Sequence, residues 1–339
     1  MDIASMPKAE LHRHLEGSVK TRTVLDISRR KGLPLASFEE AELDARVKVR
    51  TQQENLQSVL DAFKILQTLF ADYDAIEQVA ARALEAAYTE ENIKLLELRY
   101  SPSFMHCLYP ELDWQKSLDI ILSCVDRFER THAFVGGVIL IASRCYGVEA
   151  AAKTVDFAVR NKKRIIGFDF ADTENDFPPR MFAAQGRRLA EEKIPVTVHS
   201  GEDGSPENIL DSINILGARR IGHGIAASAD KSGQLFGVLR EKRITLETNP
   251  WSNYITRAVP ELENHPLKLF LQSGLCVTIG ADDPEALDTN LNKEYSLCVE
   301  KMGLGQADLV AANRFAVEGS FLPLDKRQEA ARLLGFSKL

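Results

Sequence analysis

The stretch Val138-Ile139-Leu140-Ile141 is apolar at four consecutive positions and β-branched at three of them. A strand that is buried on both faces has this pattern, which is typical of parallel sheets covered by helices. Similar short apolar runs recur along the chain. The predicted strands are Ala9–Leu15, Lys94–Arg99, Val135–Ile141, Arg164–Phe170, Pro195–His199, Arg219–His223, Ile244–Thr248 and Cys276–Gly280.

Helical segments alternate with these strands. Apolar residues recur at helical spacing in Gly147–Asn161, Pro178–Lys193 and Asn208–Leu216. Eight strands alternating with helices predict an α/β fold of the (β/α)8 TIM barrel type, and 339 residues suit one such barrel. The sequence contains no recognisable internal repeat or linker, so we expect a single domain over residues 1–339. The tail Met302–Leu339 is predicted to be helical and to close the bottom or side of the barrel.

One interval interrupts the alternation, because residues 21–92 contain no strand-like run. They contain three helical patterns instead, in Thr21–Lys31, Asn55–Phe70 and Tyr73–Glu91. We interpret them as a helical insertion after the first strand. Such an insertion at the catalytic end of a barrel can form a lid or pocket wall, or it can be a stabilising cap without a role in turnover.

The bulk properties favour a small-molecule partner. The chain has 42 Lys and Arg against 49 Asp and Glu, and this net charge of −7 argues against non-specific binding to nucleic acid or membranes. No apolar run approaches the roughly 18 residues of a spanning helix, and no export signal is recognisable at the N-terminus. The five cysteines form no CxxC pair. We therefore expect a cytoplasmic protein with free cysteines that fill the core or its boundary.

Three histidines and one aspartate at strand ends suggest a metal site. His12 and His14 are two residues apart near the end of the first strand, so they can point into the same barrel mouth. His199 ends the fifth predicted strand, and Asp282 follows the last one. This nitrogen and oxygen donor set suits one Zn²⁺ with an open position for water, while Fe²⁺, Mn²⁺ and Co²⁺ remain alternatives. Taken alone, the two alternating histidines could simply be partly exposed side chains.

Further groups near these strand ends could move protons. Glu202 lies three residues after His199, where a carboxylic acid could protonate a substrate; alternatively, it is a first-turn charge of the next helix. His223, between two glycines, could take the proton of an activated water or stabilise the hydroxide. Asp282 could also accept a proton, and Asp283 could bind substrate. His106, His132 and His265 lie outside the pattern and are expected to be ordinary surface or helix histidines.

Five segments in this order resemble the adenosine deaminase family of the metal-dependent hydrolase (amidohydrolase) superfamily. They begin at Pro7 and end at Pro284, so the resemblance covers most of the chain. The segments are Pro7-Lys8-Ala9-Glu10-Leu11-His12-Arg13-His14-Leu15-Glu16-Gly17-Ser18, Thr197-Val198-His199-Ser200-Gly201-Glu202, Arg220-Ile221-Gly222-His223-Gly224, Asn249-Pro250-Trp251-Ser252-Asn253 and Asp282-Asp283-Pro284.

The resemblance implies roles for the residues in these segments. One zinc ion per subunit would be held by the ligand set His12, His14, His199 and Asp282. Glu202 would protonate the purine nitrogen beside the reacting carbon, His223 would orient the water and handle its proton, and Asp283 would hold the opposite side of the ring. The implied reaction is the hydrolytic deamination of a 6-aminopurine, most simply adenosine or deoxyadenosine to inosine or deoxyinosine and ammonia.

Three departures from the family pattern bear on the substrate. Glu16 stands where adenosine deaminases usually carry an Asp that contacts ribose, and Asp172 stands where the family often has a Gly. Asn249 replaces a frequent Cys. Together with His14, the residues Glu16 and Asp172 are candidate substrate contacts. Adenine and aminodeoxyfutalosine are therefore alternative substrates on the same scaffold. A silent purine-binding descendant is a further alternative, although the chain retains every ligand and acid.

Overall fold

The predicted strands form one parallel sheet in a computed structural model that describes residues 1–337, apart from the side chain of Ala62. Neighbours in the sheet follow chain order from first to last. The fold is therefore the predicted (β/α)8 barrel. The strands are β1 (Lys8–His14), β2 (Ile93–Tyr100), β3 (Val135–Ser143), β4 (Gly167–Ala171), β5 (Val196–Ser200), β6 (Ala218–His223), β7 (Thr245–Thr248) and β8 (Cys276–Ile279).

Helices cover the outside of this barrel. Within the described residues, the α-helices are α1 (Thr21–Lys31), α2 (Glu40–Val47), α3 (Leu56–Phe63), α4 (Tyr73–Thr89), α5 (Pro102–Met105), α6 (Trp114–Thr131), α7 (Gly147–Arg160), α8 (Ala183–Glu191), α9 (Pro206–Asn214), α10 (Gln234–Glu241), α11 (Pro250–Ile255), α12 (Leu267–Gln272), α13 (Leu291–Glu300), α14 (Gln306–Gly319) and α15 (Leu324–Leu333).

Helices α1 to α4 lie between β1 and β2, where the insertion was predicted. The insertion is less continuous than its sequence pattern indicated, because the predicted helix Asn55–Phe70 is α3 followed by a 3₁₀ segment, Lys64–Leu69.

In the tail, α14 packs on β1 and β8, while α15 packs on β2 and β3. The last two residues of the predicted tail lie outside the described residues. The division into domains stays a prediction. No helix among the described residues is long and apolar enough to cross a membrane.

The seam between β8 and β1 is made by the residues that follow β8. The His14 N–H donates to the Asp282 carbonyl at 2.9 Å, and the Asp282 N–H donates to the His12 carbonyl at 3.1 Å. Gly280 lies at this seam, where an added Cβ would come within 2.4 Å of the Asn249 side-chain oxygen. The close packing around Gly280 at this seam therefore depends on a residue without a side chain.

We predict that Gly280→Ala destabilises the protein by about 1–3 kcal/mol, because the new methyl group overpacks the seam. The matched control is Gly237→Ala in α10, where an added Cβ meets nothing within 4 Å. That change should stabilise the fold by about 0.4–1 kcal/mol through the unfolded state. Denaturant unfolding of both variants measures the difference. Equal unfolding free energies for the two variants would contradict this account of the seam.

Candidate active site

The four predicted metal ligands converge at the carboxyl ends of the strands. His12 Nε2 lies 3.1 Å from His199 Nε2 and 3.2 Å from Asp282 Oδ1. His14 Nε2 is 3.2 Å from each of the same two atoms. One donor atom from each residue lies within 4.8 Å of the others, so the four could hold a metal ion together.

The opposite ring nitrogens of two of these histidines face buried carboxylates. His12 Nδ1 is 2.7 Å from Glu247 Oε2 in β7, and His199 Nδ1 is 3.1 Å from Asp169 Oδ1 in β4. In each pair Nδ1 donates to the carboxylate, which leaves the Nε2 lone pair aimed at the shared centre. Carboxylates in this position fix the tautomer and orientation of metal-binding histidines. The donor set therefore fits a divalent cation.

Two guanidinium groups join these carboxylates beneath the site. Arg99 donates to Asp169 at 2.8 Å and to Glu247 at 2.7 Å. Arg220 forms an ion pair with Glu247, with 2.5 Å between Nε and Oε1, and donates a hydrogen bond to Glu97 at 2.6 Å. With Asp282, four carboxylates face two guanidinium groups in this buried region.

The charges in this network hold its carboxylates in their ionised form. Burial alone would raise the pKa of Glu247, but Arg99 and Arg220 hold the pKa well below its usual range. Burial also raises the pKa of Asp282. The charge of His12 opposes this effect, and the pKa of Asp282 lies well below that of a free carboxyl group. Burial lowers the pKa of His199 to about 4, which favours the neutral imidazole that a metal requires.

Glu202 and His223 lie beside this cluster. His223 Nε2 is 3.4 Å from Glu202 Oε2 and 3.9 Å from Asp282 Oδ2. Burial, and then the charge of Asp282, raises the pKa of Glu202 well above its usual range, which favours the protonated side chain. Glu202 does not belong to the first turn of α9, which Ser205 precedes. The structure thus places a carboxylic acid next to the candidate metal centre.

Glu174, which the sequence analysis did not single out, holds the loop that carries Glu202. Its carboxylate accepts hydrogen bonds from the Glu202 N–H at 2.9 Å, the Gly204 N–H at 3.0 Å and the Ser200 hydroxyl at 2.8 Å. Three donors on one buried carboxylate fix the path of the chain between β5 and α9. The position of the acid therefore depends on a neighbouring loop.

A cavity of about 480 Å³ opens from the cluster, a volume within the usual range for small-molecule sites. It is lined by His14, Glu16, Asp172, Glu202, His223, Asp282 and Asp283, which include every predicted catalytic and substrate-binding residue. Leu56, Val59, Leu60 and Phe63 of the insertion form an apolar side. The pocket-wall interpretation of the insertion is therefore the one that the structure supports.

Three carboxyl groups in the cavity are predicted to contact substrate. Glu16 accepts a hydrogen bond from the Ser101 N–H at 2.7 Å through one oxygen, and its other oxygen is buried without a partner. Burial raises the pKa of Glu16 to about 8, and burial with Asp282 raises the pKa of Asp283. Asp172 has φ of 74°, the left-handed region that favours glycine. This backbone geometry agrees with the glycine that the family often has there.

Two groups of expectations need correction. Cys107 and Cys145 are exposed and line the cavity instead of filling the core, and Cys145 Sγ is 3.2 Å from Asp172. His106 and His265 are buried, so they are not surface histidines, whereas His132 is exposed as expected. Short flanking helices and loops cover these histidines, and their burial leaves no periodic signal in the sequence.

The sequence patterns did not predict the charged residues in the barrel interior that support the candidate metal ligands. Glu97, Arg99, Asp169, Arg220 and Glu247 all lie within barrel strands. An ionisable residue inside an otherwise apolar, buried strand needs an opposite charge in the barrel interior. That signal was present in the sequence, but it does not reveal which residues pair.

The fold and site together are a (β/α)8 barrel with a candidate metal centre at the carboxyl ends of its strands. The family described as adenosine deaminase matches residues 7–334, and the chain belongs to this family. The curated adenosine deaminase of Clostridium kluyveri is 33% identical over 318 residues, covering 93% of this chain and 90% of that protein. The chain is accordingly a hydrolytic deaminase that acts on C–N bonds.

Solved structures with lower identity share the fold. An adenine deaminase from Arthrobacter aurescens superposes with a TM-score of 0.88, at 22% identity and 98% coverage of both chains. A zinc-bound amidohydrolase from Burkholderia ambifaria has a TM-score of 0.84, at 23% identity, covering 96% of this chain and 88% of that one. The N6-methyl-AMP deaminase from Arabidopsis thaliana has a TM-score of 0.82, at 22% identity, covering 98% and 97%.

We predict that Glu247→Gln weakens metal retention about 10- to 100-fold, because the amide is a poorer partner for His12 Nδ1 than the carboxylate. Metal loss to a chelator, followed by elemental analysis, measures the effect. The control is Glu241→Gln, the same substitution at an exposed position six residues earlier. Identical rates of metal loss in both variants would show that Glu247 does not support the site.

Proposed function

We propose that the protein is a zinc-dependent deaminase of a 6-aminopurine without a phosphate, with adenosine or deoxyadenosine as the leading substrate. The convergence of His12, His14, His199 and Asp282 carries this proposal, together with the buried Glu202 beside them, whose environment favours its protonated form. A nitrogen and oxygen donor set suits zinc, which the Burkholderia ambifaria relative binds. The five free cysteines fit a reducing cytoplasm.

The reaction adds the hydroxyl of water to C6 of the purine and releases the amino group as ammonia. A divalent cation held by His12, His14, His199 and Asp282 would supply Lewis acidity that makes water nucleophilic at neutral pH. Glu202 gives its proton to the ring nitrogen beside C6, which makes that carbon more electrophilic. His223 orients the attacking oxygen. Asp283 binds the opposite side of the ring, and Asp282 is placed to accept a proton.

The charges of the cavity favour an uncharged substrate over a nucleotide. Among its lining residues the single Lys or Arg is Lys64, whose ammonium group is 2.6 Å from Asp61 and largely exposed. Phosphate recognition needs arginine or lysine donors in well-defined positions. Glu16 and Asp172 instead line the cavity with carboxyl groups, which can accept hydrogen bonds from hydroxyl or N–H groups of a substrate. We therefore expect a substrate other than the nucleotide for which the Arabidopsis thaliana N6-methyl-AMP deaminase is named.

Adenine is the second candidate, because Glu16 favours a smaller substrate. Glu16 carries one more methylene than the Asp usual in adenosine deaminases, and its carboxyl group projects into the cavity, where it meets the Ser101 N–H. A longer side chain there takes room from a ribose. The adenine deaminase of Arthrobacter aurescens has the same fold over the whole chain. Aminodeoxyfutalosine remains an alternative whose larger substituent would contact the apolar side formed by α3.

We predict that Glu202→Gln keeps the metal but lowers kcat by about 10²- to 10⁴-fold, because the amide cannot protonate the ring nitrogen. Ammonia release and metal content are measured on the same preparation. Glu207→Gln, in the exposed first turn of α9, is the matched control and should keep full activity. Near-normal turnover of the Glu202 variant would overturn the assigned role.

We predict that a substrate panel shows turnover of an uncharged 6-aminopurine and little turnover of AMP or N6-methyl-AMP. The panel contains adenosine, deoxyadenosine, adenine, aminodeoxyfutalosine and both nucleotides, with ammonia release compared as kcat/KM. The highest value for adenosine or deoxyadenosine supports the leading assignment. The highest value for adenine supports the role given to Glu16, and a nucleotide as best substrate contradicts the proposal.

A further inference from the structure

A chain of buried hydrogen bonds runs away from the active site behind His223. The Asn253 side-chain nitrogen, Nδ2, lies 2.8 Å from His223 Nδ1. The side-chain oxygen of Asn253 lies 3.1 Å from His265 Nε2. The other ring nitrogen of His265, Nδ1, is 3.1 Å from the backbone N–H of Leu267, the first residue of α12. All three side chains in this chain are buried.

Backbone donors determine the direction of every bond in this chain. The Leu267 N–H can only donate, so His265 Nδ1 carries a lone pair and the proton of the neutral ring lies on Nε2. His265 Nε2 therefore donates to Asn253. The Asn249 backbone N–H, at 3.3 Å, donates to the same Asn253 atom. Because two donors converge on it, this atom is the amide oxygen, and the amide nitrogen faces His223.

An amide nitrogen can only donate, so His223 Nδ1 must accept. The side-chain nitrogen of Asn249, 3.4 Å from the same His223 atom, approaches as a second donor. The single proton of the neutral His223 ring is then on Nε2. That nitrogen faces the candidate active site, 3.4 Å from Glu202 and 3.9 Å from Asp282.

We propose that Asn253 and His265 are positioning residues that hold neutral His223 with its proton on Nε2, so that His223 donates a hydrogen bond into the active site. In this tautomer Nε2 has no lone pair with which to take the proton of the attacking water. The imidazole orients the attacking oxygen as a donor. The expected role of His223 as the proton acceptor is thereby replaced by an orienting role. The tautomer does not depend on the reaction, whereas its effect on turnover rests on the proposed function.

The first test is direct observation of the tautomer in the zinc-loaded protein. Long-range ¹H–¹⁵N correlation spectra of histidine-labelled protein distinguish a protonated Nε2 from a protonated Nδ1, and a His223→Asn variant assigns the signal. We expect a protonated Nε2 and an unprotonated Nδ1 for His223. A proton on Nδ1 in the wild-type protein overturns the proposal without any need for a further variant.

The second test is Asn253→Asp, which keeps the shape and both acceptor contacts of Asn253 to Asn249 and His265. Its second oxygen replaces the nitrogen that faces His223, so it demands a proton on Nδ1. We expect the His223 proton to move to Nδ1, and kcat to fall about 10²- to 10⁴-fold with little change in KM. The control is Asn264→Asp, which adds the same charge at an exposed position eleven residues away.

His265→Gln provides an independent variant in case Asn253→Asp does not fold. A glutamine amide can still donate to the Asn253 oxygen, so it should restore much of the activity that His265→Ala loses. The proposal fails if Asn253→Asp changes neither the His223 spectrum nor kcat, or if glutamine and alanine at position 265 behave alike. A shifted tautomer in a protein that releases no ammonia from any substrate would instead keep the positioning role and refute the proposed function.

Discussion

The bridge that Arg99 makes between Asp169 and Glu247 is the interaction on which the site depends. Each of these carboxylates holds one metal-ligand histidine, and Arg99 fixes the two carboxylates relative to each other. Charges buried in a barrel interior are costly unless every one is paired and hydrogen-bonded. Removing the guanidinium would leave Asp169 without its arginine partner and Glu247 with Arg220 alone. The orientation of His12 and His199 is therefore a property of the barrel interior and not of the surface loops.

The same constraint explains why the site lies at the seam of the barrel. Arg99 also donates to the Leu11 carbonyl of β1, next to His12. Asp282, the ligand that follows β8, makes the backbone hydrogen bonds that join the two ends of the sheet. A ligand from the first strand and a ligand from the last thus meet only when the barrel closes. A metal ion bound at this cluster would therefore stabilise the same arrangement that barrel closure creates.

Sequence patterns predicted the barrel and the convergence of the four candidate ligands because both have local signals. Runs such as Val138–Ile141 are visible in a short window, and polar residues at strand ends need only the rule that those ends meet. The partners of His12 and His199 could not be predicted, because pairing within a barrel depends on strand register. His265 could not be placed either, since a histidine in a connecting segment has no periodicity that reports its burial. The position of Cys145 in the cavity could not be predicted for the same reason.

The residues proposed to carry out the reaction and those proposed to select the substrate lie mostly on different parts of the fold. The metal ligands and His223 belong to strands or to the residues directly after them, where hydrogen bonds on several sides limit their movement. The apolar groups that would meet the distal part of a substrate lie on the insertion, in α3. Loops tolerate substitution far better than barrel strands do. Relatives can therefore keep one deamination chemistry while the purine derivative changes, and Glu16, two residues after the end of β1, is where the two parts meet.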